Sequence, residues 1–263
     1  MTWLHVTRAE TPLILAIPHG GVQLPVGTFR SDWWARRDAD WHISNLYAGL
    51  ADASVVATNI SRSVIDVNRD PSGASLYPGQ ATTELCPTTS FDGDPLYDSG
   101  APDEADIKIR RSSYFDPYHA ALSSEISRLR ARHDRVVVYD CHSIRSRIPR
   151  LFDGDLPELN IGTNGGTSCS PELRDAVAAV AGASGRSHVS DGRFRGGWTT
   201  RHYGRPGQGI HAIQMEIAIR AYLREPTGDI TPSNWPPDYD ADFAASLRTT
   251  LATILATCLE FAR

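Results

Sequence analysis

The sequence predicts an α/β protein with three layers around a mixed, largely parallel central sheet, and two patterns carry that expectation. Short apolar runs of strand length alternate along the chain with segments of helical periodicity. Two of the runs lead into a histidine: Leu13-Ile-Leu-Ala-Ile17 precedes His19, and Val136-Val-Val-Tyr139 precedes His142. A side chain just past a core strand opens into the crevice where α/β proteins bind ligands.

Taken in order, strands are expected at Leu13–Ile17, Ser54–Ile60, Ser63–Val67, Val136–Tyr139, Leu159–Gly162, Ser187–Ser190 and His211–Ile217. Helices are expected near Asp40–Asp52, Asp103–Arg132, Pro171–Ala181 and Asp240–Ala262. Ser170-Pro-Glu is a helix start: a capping hydroxyl, proline in the first turn and an acid near the positive end. In the last helix Phe243, Leu247, Leu251, Ile254, Leu255, Cys258 and Ala262 form one apolar stripe, which reads as core packing. The Pro-, Gly-, Thr- and Asp-rich stretch from Pro71 to Pro102 is too long for a simple connector and reads as a functional loop or lid. No repeat and no linker divides the 263 residues, so residues 1–263 read as one catalytic domain.

Composition narrows the function classes. A hydrophobic fraction of 41% with 22% charged residues is that of a soluble globular protein. The net charge of −5 argues against a general nucleic-acid binder. No apolar run approaches the ~20 residues that span a bilayer, which argues against a membrane role. The start, Met1-Thr-Trp-Leu-His-Val, lacks the basic and apolar regions of a signal peptide. Cys86, Cys141, Cys169 and Cys258 are widely spaced. Together these features predict reduced thiols and a cytoplasmic protein.

Three constellations carry chemistry. His19 and His142, with carboxylates at Asp38 and Asp40 between them, are the raw material of a zinc site with three protein ligands and an open position for water. The bland reading is two structural histidines and an aspartate capping a helix. In Ser61-Arg-Ser-Val-Ile-Asp-Val-Asn-Arg69, Arg62 and Arg69 could grip a dianionic substrate or an oxyanion, or serve in structural ion pairs. The third is Phe194-Arg-Gly-Gly-Trp-Thr-Thr-Arg-His-Tyr-Gly204, whose glycines suggest backbone close to a ligand or a mobile loop, followed by His211-Ala-Ile-Gln-Met-Glu-Ile217, where Gln214 and Glu216 alternate with apolar neighbours and face one side of a strand. A carboxylate there is a general-base candidate or half of an ion pair. Cys141 precedes His142, but adjacent strand residues face opposite ways, so a Cys–His nucleophile pair is not expected.

Eight motifs in order give the chain a resemblance to the N-formylglutamate amidohydrolase family. They are Ile17-Pro-His-Gly-Gly, Asp38-Ala-Asp-Trp-His, Val64-Ile-Asp-Val-Asn-Arg-Asp-Pro, Tyr114-Phe-Asp-Pro-Tyr-His, Tyr139-Asp-Cys-His-Ser, Leu159-Asn-Ile-Gly-Thr-Asn-Gly-Gly, Gly196-Gly-Trp-Thr-Thr-Arg-His-Tyr-Gly and Gln214-Met-Glu-Ile. The resemblance implies a fold like that of zinc carboxypeptidases and aspartoacylases. It implies one Zn2+ per chain held by His19, His142 and Asp40, with Asp38 and His42 close enough to exchange roles with Asp40. By the same resemblance Glu216 is the catalytic base, Arg62 polarises the scissile carbonyl, and Asn68 and Arg69 hold a substrate carboxylate. Arg201, His202 or the loop at Asn164 would hold the second carboxylate. The implied reaction is metal-dependent hydrolysis of N-formyl-L-glutamate, a small acidic substrate, in histidine degradation. The rivals are another N-acyl amino acid or a small peptide as substrate, a metal-free binder of acidic ligands, and a cysteine hydrolase.

Overall fold

The computed structural model describes residues 3–263, so Met1 and Thr2 of the N-terminal segment lie outside it. The strands are β1 (Leu4–Thr7), β2 (Leu13–Ile17), β3 (Ser54–Thr58), β4 (Val136–Ile144), β5 (Leu159–Gly162), β6 (His188–Ser190) and β7 (Ile210–Ala218). They form one sheet in the order β1-β3-β2-β4-β7-β5-β6. Strands β3, β2, β4 and β7 run parallel; β1 and β5 join the two sides antiparallel, and β6 runs parallel to β5. The expected mixed, largely parallel sheet is therefore present.

The helices are α1 (Asp32–Arg36), α2 (Ile43–Tyr47), α3 (Glu104–Arg110), α4 (Asp116–Arg130), α5 (Pro171–Ala183), α6 (Trp198–Tyr203) and α7 (Ala241–Ala262). Alternate strand residues supply two cores. Leu13, Leu15, Ile17, Tyr139, Cys141, Ile213 and Met215 face α2, α5 and α7 through Leu46, Val177, Leu251 and Ile254. Ile14, Ala16, Val56, Val136, Val138 and Ala212 face α4 through Tyr118, Leu122 and Leu129. This gives three layers, and the α7 stripe is core as expected. Among the described residues no helix is long and apolar enough to cross a membrane.

Several elements differ from expectation. Ser63–Val67 is not a strand: it is buried, but its backbone bonds go to Ser61 and Leu85 rather than along a strand. An apolar run reports burial; it needs a neighbouring strand to become one. The helix expected at Asp40–Asp52 shrinks to α2, because His42 sits at φ 60° and Gly49 at φ 72° on either side of it. The single long helix expected at Asp103–Arg132 is interrupted by a wide turn at Arg111–Phe115 just before Pro117, which lacks the N–H to continue a regular ladder. Strand β1 is an exposed edge with little apolar alternation to announce it. Strand β4 runs five residues beyond Tyr139, so His142 lies inside a strand.

One packing detail makes a stability prediction. His119 on α4 has Nε2 2.7 Å from the Val67 carbonyl and Nδ1 3.0 Å from the Tyr203 hydroxyl. Burial pushes its pKa down from the ordinary 6.5 to about 4. A histidine held neutral in the fold is protonated first in the unfolded chain. Stability is then expected to fall as pH drops from about 6.5 to about 4, by roughly 1.4 kcal/mol per pH unit for this group. His119→Gln, which keeps a donor for Val67, is expected to lower Tm at pH 7 and flatten the decline between pH 7 and pH 5. An unchanged slope in that variant would assign the acid sensitivity elsewhere.

Candidate active site

The crevice lies where the sheet changes direction of growth: β3 flanks β2 on one side and β4 on the other. The β2–β4 register pairs Ala16 with Asp140, so β4 projects past the end of β2 and carries His142 beside the loop that bears His19. The β4–β7 register pairs His142 with Glu216. The turn after His19 depends on Gly21, where a Cβ would come within 2.2 Å of the Asn59 carbonyl carbon.

His19, Asp40 and His142 converge, and all three are buried. The two Nδ1 atoms are 3.1 Å apart, and Asp40 Oδ2 lies 3.8 Å from that of His19 and 3.2 Å from that of His142. Such separations suit two nitrogens and one oxygen each about 2 Å from one cation. The outward nitrogens face carboxylates: His19 Nε2 hydrogen-bonds Asp66 at 2.6 Å, and His142 Nε2 lies 3.1 Å from Asp140, with the Asn68 amide between them at 2.8 Å from the imidazole. A carboxylate behind each imidazole is the usual support of a ligating histidine.

The electrostatics point the same way. Burial works against the charge on Asp66, yet His19, Arg62 and Arg69 hold its carboxyl well below the usual range. Burial also opposes protonation of His142, but Asp140 and Asp40 raise its pKa well above the ordinary value. Burial, helped by Asp40 and Asp140, lifts Glu216 to about 8. Four carboxyls (Asp40, Asp66, Asp140 and Glu216) gather around two guanidiniums, and the cluster draws protons onto two of its members. A site short of positive charge, with three converging donors, fits a divalent cation.

Of the alternatives for the third donor, the other two are engaged elsewhere. Asp38 accepts from the Phe91 backbone N–H at 2.7 Å and lies beside Arg37 and Arg145. His42 Nε2 is 3.1 Å from the Pro237 carbonyl.

A cleft opens over the triad, lined in part by His19, Arg62, Asn68, Arg69, His142 and Glu216. Glu216 is 7% exposed, takes a 3.2 Å hydrogen bond from Gln214 and pairs with no arginine or lysine among the described residues. The ion-pair reading of this residue therefore finds no partner. Arg62 donates to Asp66 at 2.8 Å and Asp40 at 3.4 Å and lies over the Phe91 ring. The Asn68 amide is 3.1 Å from Asp140 and 2.8 Å from His142 Nε2, and it accepts from the Thr199 N–H at 2.7 Å. Gly197 packs on this amide; a Cβ there would meet its nitrogen at 2.4 Å. The glycines of that segment serve close packing on Asn68.

The residues expected to hold the second carboxylate are not brought to the cleft. Asn164 is turned at φ 51° and bonds Thr167, Arg201 donates to the Gly196 carbonyl, and His202 stacks on Trp198 at an exposed face of α6. None of the three lines it. Residues not singled out from sequence do: Tyr77, Thr82, Thr83 and Phe91 from the Pro71–Pro102 stretch, and Arg193 after β6; Phe194, at the head of the glycine-rich segment, lines it as well. The long loop thus forms one wall of the cleft. Asp66 and Asp140 were legible only as parts of motifs. Cys141 points into the opposite core with its thiol pKa pushed far up by burial, and all four cysteines are buried and unpaired. No Cys–His nucleophile forms.

An open α/β sheet with a buried donor triad, an unpaired glutamate and several arginines in one cleft defines a class: hydrolase-like α/β proteins whose site can hold a divalent cation. The sequence profile of the N-formylglutamate amidohydrolase family matches residues 11–223, and the chain belongs to that family. It is 43% identical over 229 residues to an N-formylglutamate deformylase of Pseudomonas aeruginosa, covering 84% of this chain and 86% of the relative. It is 44% identical over 225 residues to an N-formylglutamate deformylase of Pseudomonas putida, covering 83% and 84%. The crystal structure of an N-formylglutamate amidohydrolase from Ralstonia eutropha shares the fold, with a TM-score of 0.79 at 24% identity over 100% of this chain and 99% of that one. A gene product of Agrobacterium tumefaciens shares it at a TM-score of 0.73 and 18% identity, over 99% and 96%.

Proposed function

We propose that the chain, as one catalytic domain, hydrolyses N-formyl-L-glutamate to formate and L-glutamate, and that it does so in the cytoplasm as the last step of a histidine-degradation route. The observation that carries the hydrolytic reading is Glu216: a buried carboxyl without a counter-ion among the described residues, lining the cleft and in register with His142. The substrate comes from the names of the Pseudomonas relatives and is supported by the arginines of the cleft.

His19, Asp40 and His142 would hold one Zn2+, the ion that two imidazoles and a carboxylate suit best. Bound there, the ion would acidify a water and polarise the formyl oxygen. The remaining steps fall to side chains. Glu216, in register with His142, takes the proton from the attacking water as its oxygen bonds to the formyl carbon. The same carboxyl then delivers that proton to the glutamate nitrogen as the C–N bond breaks. Arg62, fixed by Asp40 and Asp66, presents its remaining N–H groups to the charge that develops on the carbonyl oxygen. Arg69 reaches the cleft beside it and holds the α-carboxylate. Asn68, whose amide is engaged by protein partners, contributes by fixing His142 and Asp140.

The test is formate release from N-formylglutamate, measured on zinc-loaded protein, after chelation and after zinc is restored. Release that chelation abolishes and zinc restores is the expected result. A zinc-loaded, folded protein that liberates no formate would overturn the proposal.

A further inference from the structure

We infer that Arg193 is the counter-charge for the substrate's side-chain carboxylate and sets a preference for acidic amino acids; this rests on the hydrolytic reading above. Arg193 lines the cleft in the segment after β6. Its Nε donates to the Leu151 carbonyl at 2.7 Å and one terminal nitrogen donates to the Ala81 carbonyl at 2.9 Å. The guanidinium lies 5.4 Å from the Tyr77 ring centre and 5.2 Å from that of Phe194. Two loops and two aromatic rings thus hold it in place, and its other terminal nitrogen makes no protein hydrogen bond among the described residues.

The charge itself has no partner. Arg62 is paired with Asp40 and Asp66, and Arg69 lies 3.4 Å from Asp66. Arg193 pairs with no carboxylate among the described residues, and burial lowers its pKa from the ordinary value. A partly buried cation without a counter-ion is destabilising unless a ligand supplies one. Here the fold keeps it rigid and turned toward a cleft, which is the state of a prepared anion site.

Connectivity of the substrate decides which anion it meets. In an N-acyl amino acid the α-carboxylate is two bonds from the scissile nitrogen. Its anchor must therefore belong to the network around the reacting centre, and Arg69 does so through Asp66, which also braces His19. The γ-carboxylate of glutamate lies two methylenes further out. Arg193 stands outside the Asp66 network, and Leu151 and Phe194 beside it offer apolar surface to those methylenes.

The test compares N-formylglutamate with N-formylglutamine, which has the same shape and no side-chain charge, on zinc-loaded wild type and Arg193→Met. The methionine keeps apolar bulk over Tyr77 and Phe194. For N-formylglutamate, kcat/KM is expected to fall on the order of 100-fold, mostly through KM. For N-formylglutamine it is expected to change less than about threefold. Equal losses on both substrates would mean that Arg193 only supports the loops, and would overturn the inference. Should Arg193→Met not fold, Arg193→Gln keeps an amide for the Leu151 and Ala81 carbonyls and reads the same ratio. Calorimetric binding of glutarate against glutaramate separates this inference from the proposed reaction, because it needs no turnover. Preference for glutarate in wild type that vanishes in the variant supports the anchor, and an unchanged preference removes it.

Discussion

Glu216→Gln is expected to keep its metal and its affinity for substrate while losing on the order of 10²- to 10⁴-fold in kcat, the usual contribution of a general base. The amide preserves the shape of the side chain beside Gln214 but cannot accept the proton of the attacking water. Stability should move the other way. Burial lifts the carboxyl to about 8, which shows that its charged form is costly in this setting. Replacing it by a neutral amide is therefore expected to leave Tm unchanged or raise it. The combination of a stable, metal-loaded protein with collapsed turnover is specific to a catalytic carboxylate. Melting temperature, metal content and kcat measured on one preparation give the answer, and near wild-type turnover would remove Glu216 from the mechanism.

His142→Ala is expected to abolish both stoichiometric zinc binding and activity, and His19→Ala to do the same. Each substitution leaves two donors of three in a site whose geometry comes from three separate chain segments. Removing only the carboxylate behind a ligating imidazole typically costs about 10- to 100-fold in metal affinity, so loss of the imidazole itself should exceed that. Asp140→Asn and Asp66→Asn fall in that smaller class, with weakened binding and a site that refills at higher zinc. Elemental analysis after dialysis distinguishes the grades. Full zinc content in His142→Ala would make the donor assignment wrong.

Much of this site could be read along the chain because its chemistry sits on regular elements. His19 follows an apolar run, Glu216 interrupts one, and Gln214 and Glu216 share a face by simple alternation; all reach the cleft. Asp40 could not be separated from Asp38 and His42 by spacing. The left-handed turn at His42 and the pull of Phe91 and Arg37 on Asp38 make the choice, and both are tertiary facts. Asp66 was hidden for a related reason. It lies in Val64-Ile-Asp-Val, which has the pattern of a strand, but the segment is a buried coil whose one carboxylate serves His19, Arg62 and Arg69 at once. Arg193 resembles any surface arginine until the fold shows what lies beside it. Arg201, His202 and Asn164, offered for the second carboxylate, do not line the cleft, because glycine-rich segments signal close backbone packing as readily as ligand contact.

The pairing of His142 with Glu216 across β4 and β7 has a consequence for anyone who refolds or evolves this protein. A slip of one residue between these strands would turn Glu216 into the apolar core and present Met215 to the cleft. A slip of two would restore the face but carry the carboxylate about 6.6 Å along the strand, out of reach of the proton that the proposed mechanism has it take. Neither product would look very different by its helix and sheet content. Catalysis thus acts as an alignment gauge: turnover per milligram counts the molecules in which two central strands have met at the right residue, whereas bulk spectroscopy counts every molecule that has merely formed a sheet.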